Sequence, residues 1–215
     1  MTKRKRKKAA AGVGVGLRTE ILRGLIAEMS QIRQYPPLVH KGNGKYEGDI
    51  LGFIRGLRFS ARLAYFIREQ LSETKYRISW GHLLDDHERS CSPECDIIIH
   101  KKGHIRKWNG FKKSIMNFKF IRARKAVAVI SCKSKLNSID RDHPKNLKKF
   151  GIDNVFLFAE TCSMGRFDSL SKAAQKAGYK GLWCLYQTDK DGTMVSIEDA
   201  KHLAFIENIR KSLPQ

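Results

Sequence analysis

Ser92-Pro93-Glu94-Cys95-Asp96-Ile97-Ile98-Ile99 places an acid at the head of an unbroken isoleucine run. Three β-branched residues bounded by a Ser-Pro turn signal read as a buried strand. The run Ala126 to Lys133 (AVAVISCK) is a second short apolar stretch, and it ends on a lysine 37 residues after Asp96. A charge at the end of a core strand is costly unless something compensates it. Two such strands, with charges of opposite sign at their ends, single out Asp96 and Lys133 as candidate site residues.

Outward from this pair, Tyr76 to Leu84 (YRISWGHLL) predicts a strand and 85–91 a polar turn, while Asn154 to Glu160 (NVFLFAE) and Gly181 to Gln187 (GLWCLYQ) predict two more strands. Apolar residues at helical spacing predict helices from Leu17 to Ile32, from about Asp49 to Leu71, from Asp168 to Ala177 and from Ser196 to Leu213. The expected fold class is α/β, a mixed central sheet of about five strands flanked by helices. Residues 1–16 read as a disordered basic arm with an Ala/Gly linker, and 17–215 as one domain. Gly12, Gly14 and Gly16 form a GxGxG string with no strand before it and no third fingerprint glycine, so it reads as linker.

The 215 residues carry 42 Lys and Arg against 21 Asp and Glu, a formal net charge of +21. Six of those charges sit in KRKRKK at 3–8, but the body stays strongly basic without them. Such a balance points to a polyanion, because each phosphate neutralised releases condensed counterions. It names a partner class and no activity. The densest acid-free part is 101–135, with twelve Lys or Arg, among them Lys101, Lys102, Arg106, Lys107, Lys112, Lys113, Arg122 and Arg124. Trp108, Phe111, Phe118 and Phe120 interleave with them. Exposed aromatics there would stack on bases, whereas Phe118 and Phe120 alternate into a strand and read as core. No apolar run approaches the roughly 20 residues of a membrane helix, and the five scattered cysteines form no disulfide framework. The expectation is a cytoplasmic protein in a reducing compartment. His87, Cys91, Cys95 and His100 are crowded into one turn and strand, unlike the two separated ligand pairs of zinc sites.

The elements S-P-E-C-D-I-I-I and I-S-C-K, in this order after a helix, strand and turn, resemble the PD-(D/E)XK nuclease superfamily, whose members begin one hairpin strand with Asp and carry (Glu/Asp)-x-Lys on the next. The resemblance covers roughly 45–187 and implies a restriction-endonuclease-like fold. It further implies a Mg²⁺-dependent DNA endonuclease, of the type II restriction or a related defence kind, in which Mn²⁺ would substitute. Asp96 would bind the metal, the backbone carbonyl of Cys132 would be a second ligand, and Lys133 would contact the attacking water and the scissile phosphate. Phosphodiester hydrolysis needs such a set: a hard cation to polarise phosphate and activate water, and a cation to stabilise charge.

Ser131 stands where the superfamily has its second carboxylate, and a hydroxyl is a poor Mg²⁺ ligand. Related enzymes with S-x-K recover a carboxylate from elsewhere. The candidates in this sequence are Asp140, Asp142, Glu160, Glu47 and Asp49. The alternative reading is a non-catalytic nucleic-acid-binding protein on a decayed nuclease fold. DNA is the expected partner with RNA left open, and a homodimer that cuts both strands is one expected assembly.

Overall fold

The computed structural model describes residues 45–71, 75–87, 89–102, 118–197 and 199–214, with backbone alone at 45–55, 118, 196 and 199–203. The arm, the helix expected over 17–32, and Arg106, Lys107, Trp108, Phe111, Lys112 and Lys113 lie outside the described residues.

The chain order is α1 (Lys45–Gln70), β1 (Tyr76–Leu84), β2 (Cys95–Lys101), β3 (Phe118–Arg122), β4 (Ala126–Leu136), α2 (Asp142–Lys148), β5 (Val155–Ser163), α3 (Phe167–Ala177), β6 (Leu182–Thr188), β7 (Met194–Ser196) and α4 (Asp199–Ser212). The strands form one mixed sheet in the order β3-β1-β2-β4-β5-β6-β7. Among the described residues there are seven strands where about five are expected. The additions are the two edges, β3 and β7, of five and three residues; the alternation of Phe118 and Phe120 in β3 reads in the sequence as leading into the next strand and not as a strand of its own. The α/β fold class stands.

β2 runs antiparallel to both of its neighbours in the sheet, β1 and β4, whereas β4, β5 and β6 are parallel to one another. Parallel neighbours need crossovers, which α2 and α3 supply. β5 is buried along eight of its nine residues, as expected of a strand covered on both faces. One core layer lies against α1 and α4: Phe59, Leu63, Phe66 and Ile67 of α1 meet Ile97, Ile99, Ile130, Phe156 and Phe158 of the sheet and Phe205, Ile206 and Ile209 of α4. The spacing of those α1 residues is one helical face. The other layer joins Ile98, Val129, Leu157 and Ala159 to Leu147 of α2 and Leu170 and Ala174 of α3. The ends of α1 and α4 are tied together by Arg210, which donates to the carbonyl of Gln70 at 2.9 Å.

The expected turn between β1 and β2 is fixed by a buried serine. The amide of Leu83 donates to Ser92 Oγ at 2.9 Å, and the amide of Ser92 returns a bond to the Leu83 carbonyl at 2.8 Å. His82 Nδ1 lies 2.8 Å from the Ser92 carbonyl. Ser92 thus clamps the approach to Asp96 onto β1.

Candidate active site

Ser79 of β1 pairs with Ile98 of β2, but Gly81 pairs with Cys95. Trp80 therefore faces two residues, Asp96 and Ile97, which is a β-bulge. Gly81 makes it feasible. Its φ is +143°, and a Cβ there would stand 1.9 Å from the backbone oxygen of Lys119 on β3. The bulge breaks the alternation of β2, so Cys95 joins the core under α2 and α3 while Ile97 joins the core under α1. Asp96, between them, is re-aimed into a cleft.

There Asp96 Oδ2 accepts the amide hydrogen of Cys132 at 2.8 Å. This bond joins the head of β2 to the S-C-K end of β4. A cleft of about 750 Å³ opens at the junction, lined by Glu94, Asp96, Ser131, Lys133 and His143, by Ser79 and Trp80 of β1, and by α1. α1 lines it with the small residues Gly56, Ser60, Ala61 and Ala64 and the larger Leu57, Tyr65 and Arg68. Glu94 is oriented by the indole of Trp80, whose Nε1 donates to Oε1 at 2.6 Å.

Burial pushes the Asp96 carboxyl above its ordinary range. The Cys132 amide and the Lys133 charge pull it back and the Glu94 charge pushes it up, with burial prevailing. The carboxylate is thus only partly compensated by protein groups, the state of a group that a cation would complete. Burial also pushes the Cys132 thiol well up, so it is a core thiol and not a nucleophile.

The structure brings Asp96, Ser131 and Lys133 into one cleft, with the Cys132 backbone beside them. It places the other candidates differently. Asp140 accepts the amides of Asp142 and His143 at 3.0 and 3.1 Å and so caps the first turn of α2. It is within electrostatic reach of Lys133 but does not line the cleft. Asp142 is exposed and pairs with Lys145 at 3.6 Å. Glu160 is fully buried in β5 and away from the cleft lining. The side chains of Glu47 and Asp49 lie outside the described residues. Among the described residues no three His, Cys, Asp or Glu side chains stand close enough to hold a metal.

The basic candidates separate by strand direction. Arg122 ends β3 and Arg124 follows it, at the end of the sheet where Asp96 begins β2; Arg124 pairs with Asp86 at 3.4 Å. Lys101 and Lys102 are exposed at the opposite end of β2. At ~3.3 Å per residue, that end is roughly 17 Å from Asp96. Sequence reasoning missed Ser92, Trp80 and His143. The glycine inside a strand pattern at Gly81 was a signal for the bulge, whereas the approach of α2 to the cleft had none.

The sheet order and its flanking helices give the chain a restriction-endonuclease-like fold. The solved structures similar to this chain include NucC, a nuclease of that fold. NucC from P. aeruginosa ATCC27853 in a cAAA-bound form superposes with a TM-score of 0.62 at 12% identity, covering 92% of this chain and 91% of that one. NucC from E. coli MS115-1 in its cAAA-bound form gives 0.58 at 10% identity over 95% and 93%. Its apo form gives 0.52 at 10% identity over 91% and 92%. No protein-family profile and no curated protein sequence matches the chain. Among the described residues no helix is long and apolar enough to cross a membrane.

Proposed function

We propose that the protein is a metal-dependent endonuclease that hydrolyses DNA phosphodiester bonds in a defence role, with Asp96 and Lys133 as its catalytic pair. The observation that carries this reading is the bond from the Cys132 amide to Asp96, which holds the acid of one motif against the S-C-K of the other. The net charge of +21 supports a polyanionic substrate. NucC similarity supports the nuclease class, and the parallel with defence rests on that similarity alone.

The donors present are hard oxygens: the Asp96 carboxylate, the Cys132 carbonyl and the Ser131 hydroxyl. The first two fit Mg²⁺, or Mn²⁺ in its place, while the hydroxyl is a weak ligand. A dication held there would polarise a phosphoryl oxygen and lower the pKa of a bound water. The chain's own residues do the rest. Asp96 is fixed by its amide partner, so its remaining lone pairs face the cleft. Lys133 presents three N–H donors from the polar end of β4, where negative charge builds on the phosphoryl oxygens. Arg122 and Arg124 would take flanking phosphates on the Asp96 side, and Lys101 and Lys102 phosphates farther along a bound duplex. Two copies together would cut both strands.

Incubating the protein with plasmid and oligonucleotide DNA or RNA, with and without Mg²⁺ or Mn²⁺, tests the reading. Cleavage that requires the cation and disappears in Asp96→Ala is expected; a protein that cuts nothing under any of these conditions overturns it. A second reading is favoured by one observation, the lack of a three-residue ligand group among the described residues. In that reading the fold binds nucleic acid without cutting it, and affinity falls steeply with salt yet ignores the dication.

A further inference from the structure

His143 lies on the first turn of α2 and lines the same cleft as Asp96, Ser131 and Lys133. Its Nε2 is buried and has no hydrogen-bond partner among the described residues. Leaving such an atom unpaired costs roughly 1–3 kcal/mol. Native structures seldom keep a buried polar atom in that state without a ligand or water to meet it. The ring's backbone is nevertheless held firmly. Asp140 Oδ1 accepts the His143 amide at 3.1 Å, and Tyr179 donates its hydroxyl hydrogen to the Asp140 carbonyl at 3.2 Å. Pro144, buried beside it, fixes the next φ of the same turn. A fixed backbone under an unsatisfied ring nitrogen is the arrangement of a preorganised contact.

The surroundings narrow what that contact takes. Lys133 and Asp140 both act electrostatically on the ring. Burial, the largest influence, lowers its proton affinity, with Asp140 raising it and Lys133 lowering it further. The ring is therefore neutral near pH 7 and carries one N–H. A neutral donor next to an ammonium suits an anionic oxygen. We propose that His143 is a further substrate-contacting residue, donating from Nε2 to a non-bridging oxygen of the scissile phosphate on the side of the cleft opposite α1. This deepens the nuclease reading and rests on it for the identity of the substrate.

Three variants separate a contact at Nε2 from a structural role. The amide nitrogen of His143→Gln reaches the position of Nε2, that of His143→Asn reaches Nδ1, and His143→Ala reaches neither. With full-length protein, the measurements are kcat and KM for cleavage of a labelled duplex with Mg²⁺, and fluorescence-anisotropy affinity for the same duplex with Ca²⁺. Circular dichroism checks the fold of each variant. The expected result is a loss of about 10- to 100-fold in kcat/KM for Ala and Asn, with Gln within about fivefold of the parent. Equal activity in all four proteins, or Gln as impaired as Ala, overturns the proposal while leaving the nuclease intact. If the parent itself does not cut, the nuclease reading fails and the binding arm decides alone. Weaker duplex binding by Ala and Asn with Gln retained then supports the His143 contact, and four equal affinities remove it.

Discussion

Two aspartates mark the head of β2 and the start of α2, and the structure treats them in opposite ways. Asp96 receives one backbone amide and is shielded enough that burial raises its proton affinity. Asp140 is exposed; burial acts on it too, but two amides and the nearby charges of His143 and Lys133 outweigh it and lower its proton affinity. The protein gains stability from Asp140 as a cap. With Asp96 ionised it works against its own fold, the usual mark of a group retained for chemistry. On the proposed function, Asp96 is kept for chemistry and Asp140 for stability.

The sharpest way to break this comparison is at Asp96. Asp96→Ala should lower cleavage by at least about 10³-fold, since it removes the carboxylate held against the Cys132-Lys133 end of β4. Asp96→Asn should be as inactive, because it keeps the shape and the acceptor for the Cys132 amide but not the charge. It should also melt higher than the parent at pH 7 without added dication, and added Mn²⁺ should raise the melting temperature of the parent alone. An Asn variant less stable than the parent would show that Asp96 is structural after all. Lys133→Ala follows with a loss of about 10²-fold or more and little change in melting temperature, as the side chain is exposed.

Ser131 sharpens the comparison from the other direction. It is almost fully buried and lines the cleft beside Asp96. Ser131→Asp places a further carboxylate in the cleft beside Asp96. Without a dication the variant should melt lower, because two close carboxylates cannot both ionise cheaply. With Mn²⁺ that deficit should reverse, and half-maximal cleavage should need about tenfold less metal. A variant that is destabilised with or without metal would place the cation, and hence the chemistry, elsewhere.

What was legible in the sequence follows the same division. Long apolar runs announced β2, β4, β5 and β6, because strands buried on both faces must be apolar throughout. The pairing of Asp96 with the S-C-K strand was legible through the superfamily resemblance, and the cost of leaving a strand-end charge uncompensated agreed with it. The two edge strands were not, since β7 is three residues long and β3 is recognised by its pairing with β1. Nor was the bulge at Asp96, whose only trace is Gly81, or the seven-residue α2, too short for periodicity to show. That helix carries both His143 and the amides that hold Asp140, so the part of the site that escaped the sequence is the part brought in by tertiary packing.

The smallest effect tests the structural half of the comparison. Asp140→Ala removes the acceptor for two amides at the start of α2 and should cost about 1 kcal/mol, or roughly 2–4 °C for a chain of this size. Its pH dependence has a definite sign. The folded carboxyl binds its proton less tightly than the unfolded one, so its stabilisation is complete above about pH 4 and fades as the pH falls through the lowered value. Asp96 runs the other way: no penalty exists below about pH 4, and it builds as the pH rises through the raised value. Melting curves of Asp140→Ala and Asp96→Asn should therefore lie on opposite sides of the parent at pH 7 and approach it together in acid. Should both variants fall on the same side at pH 7, the two aspartates do the same work and the assignment of Asp96 to catalysis loses its physical basis. Because Asp140 also holds the backbone of His143, Asp140→Ala should lower kcat/KM severalfold, and by less than His143→Ala itself.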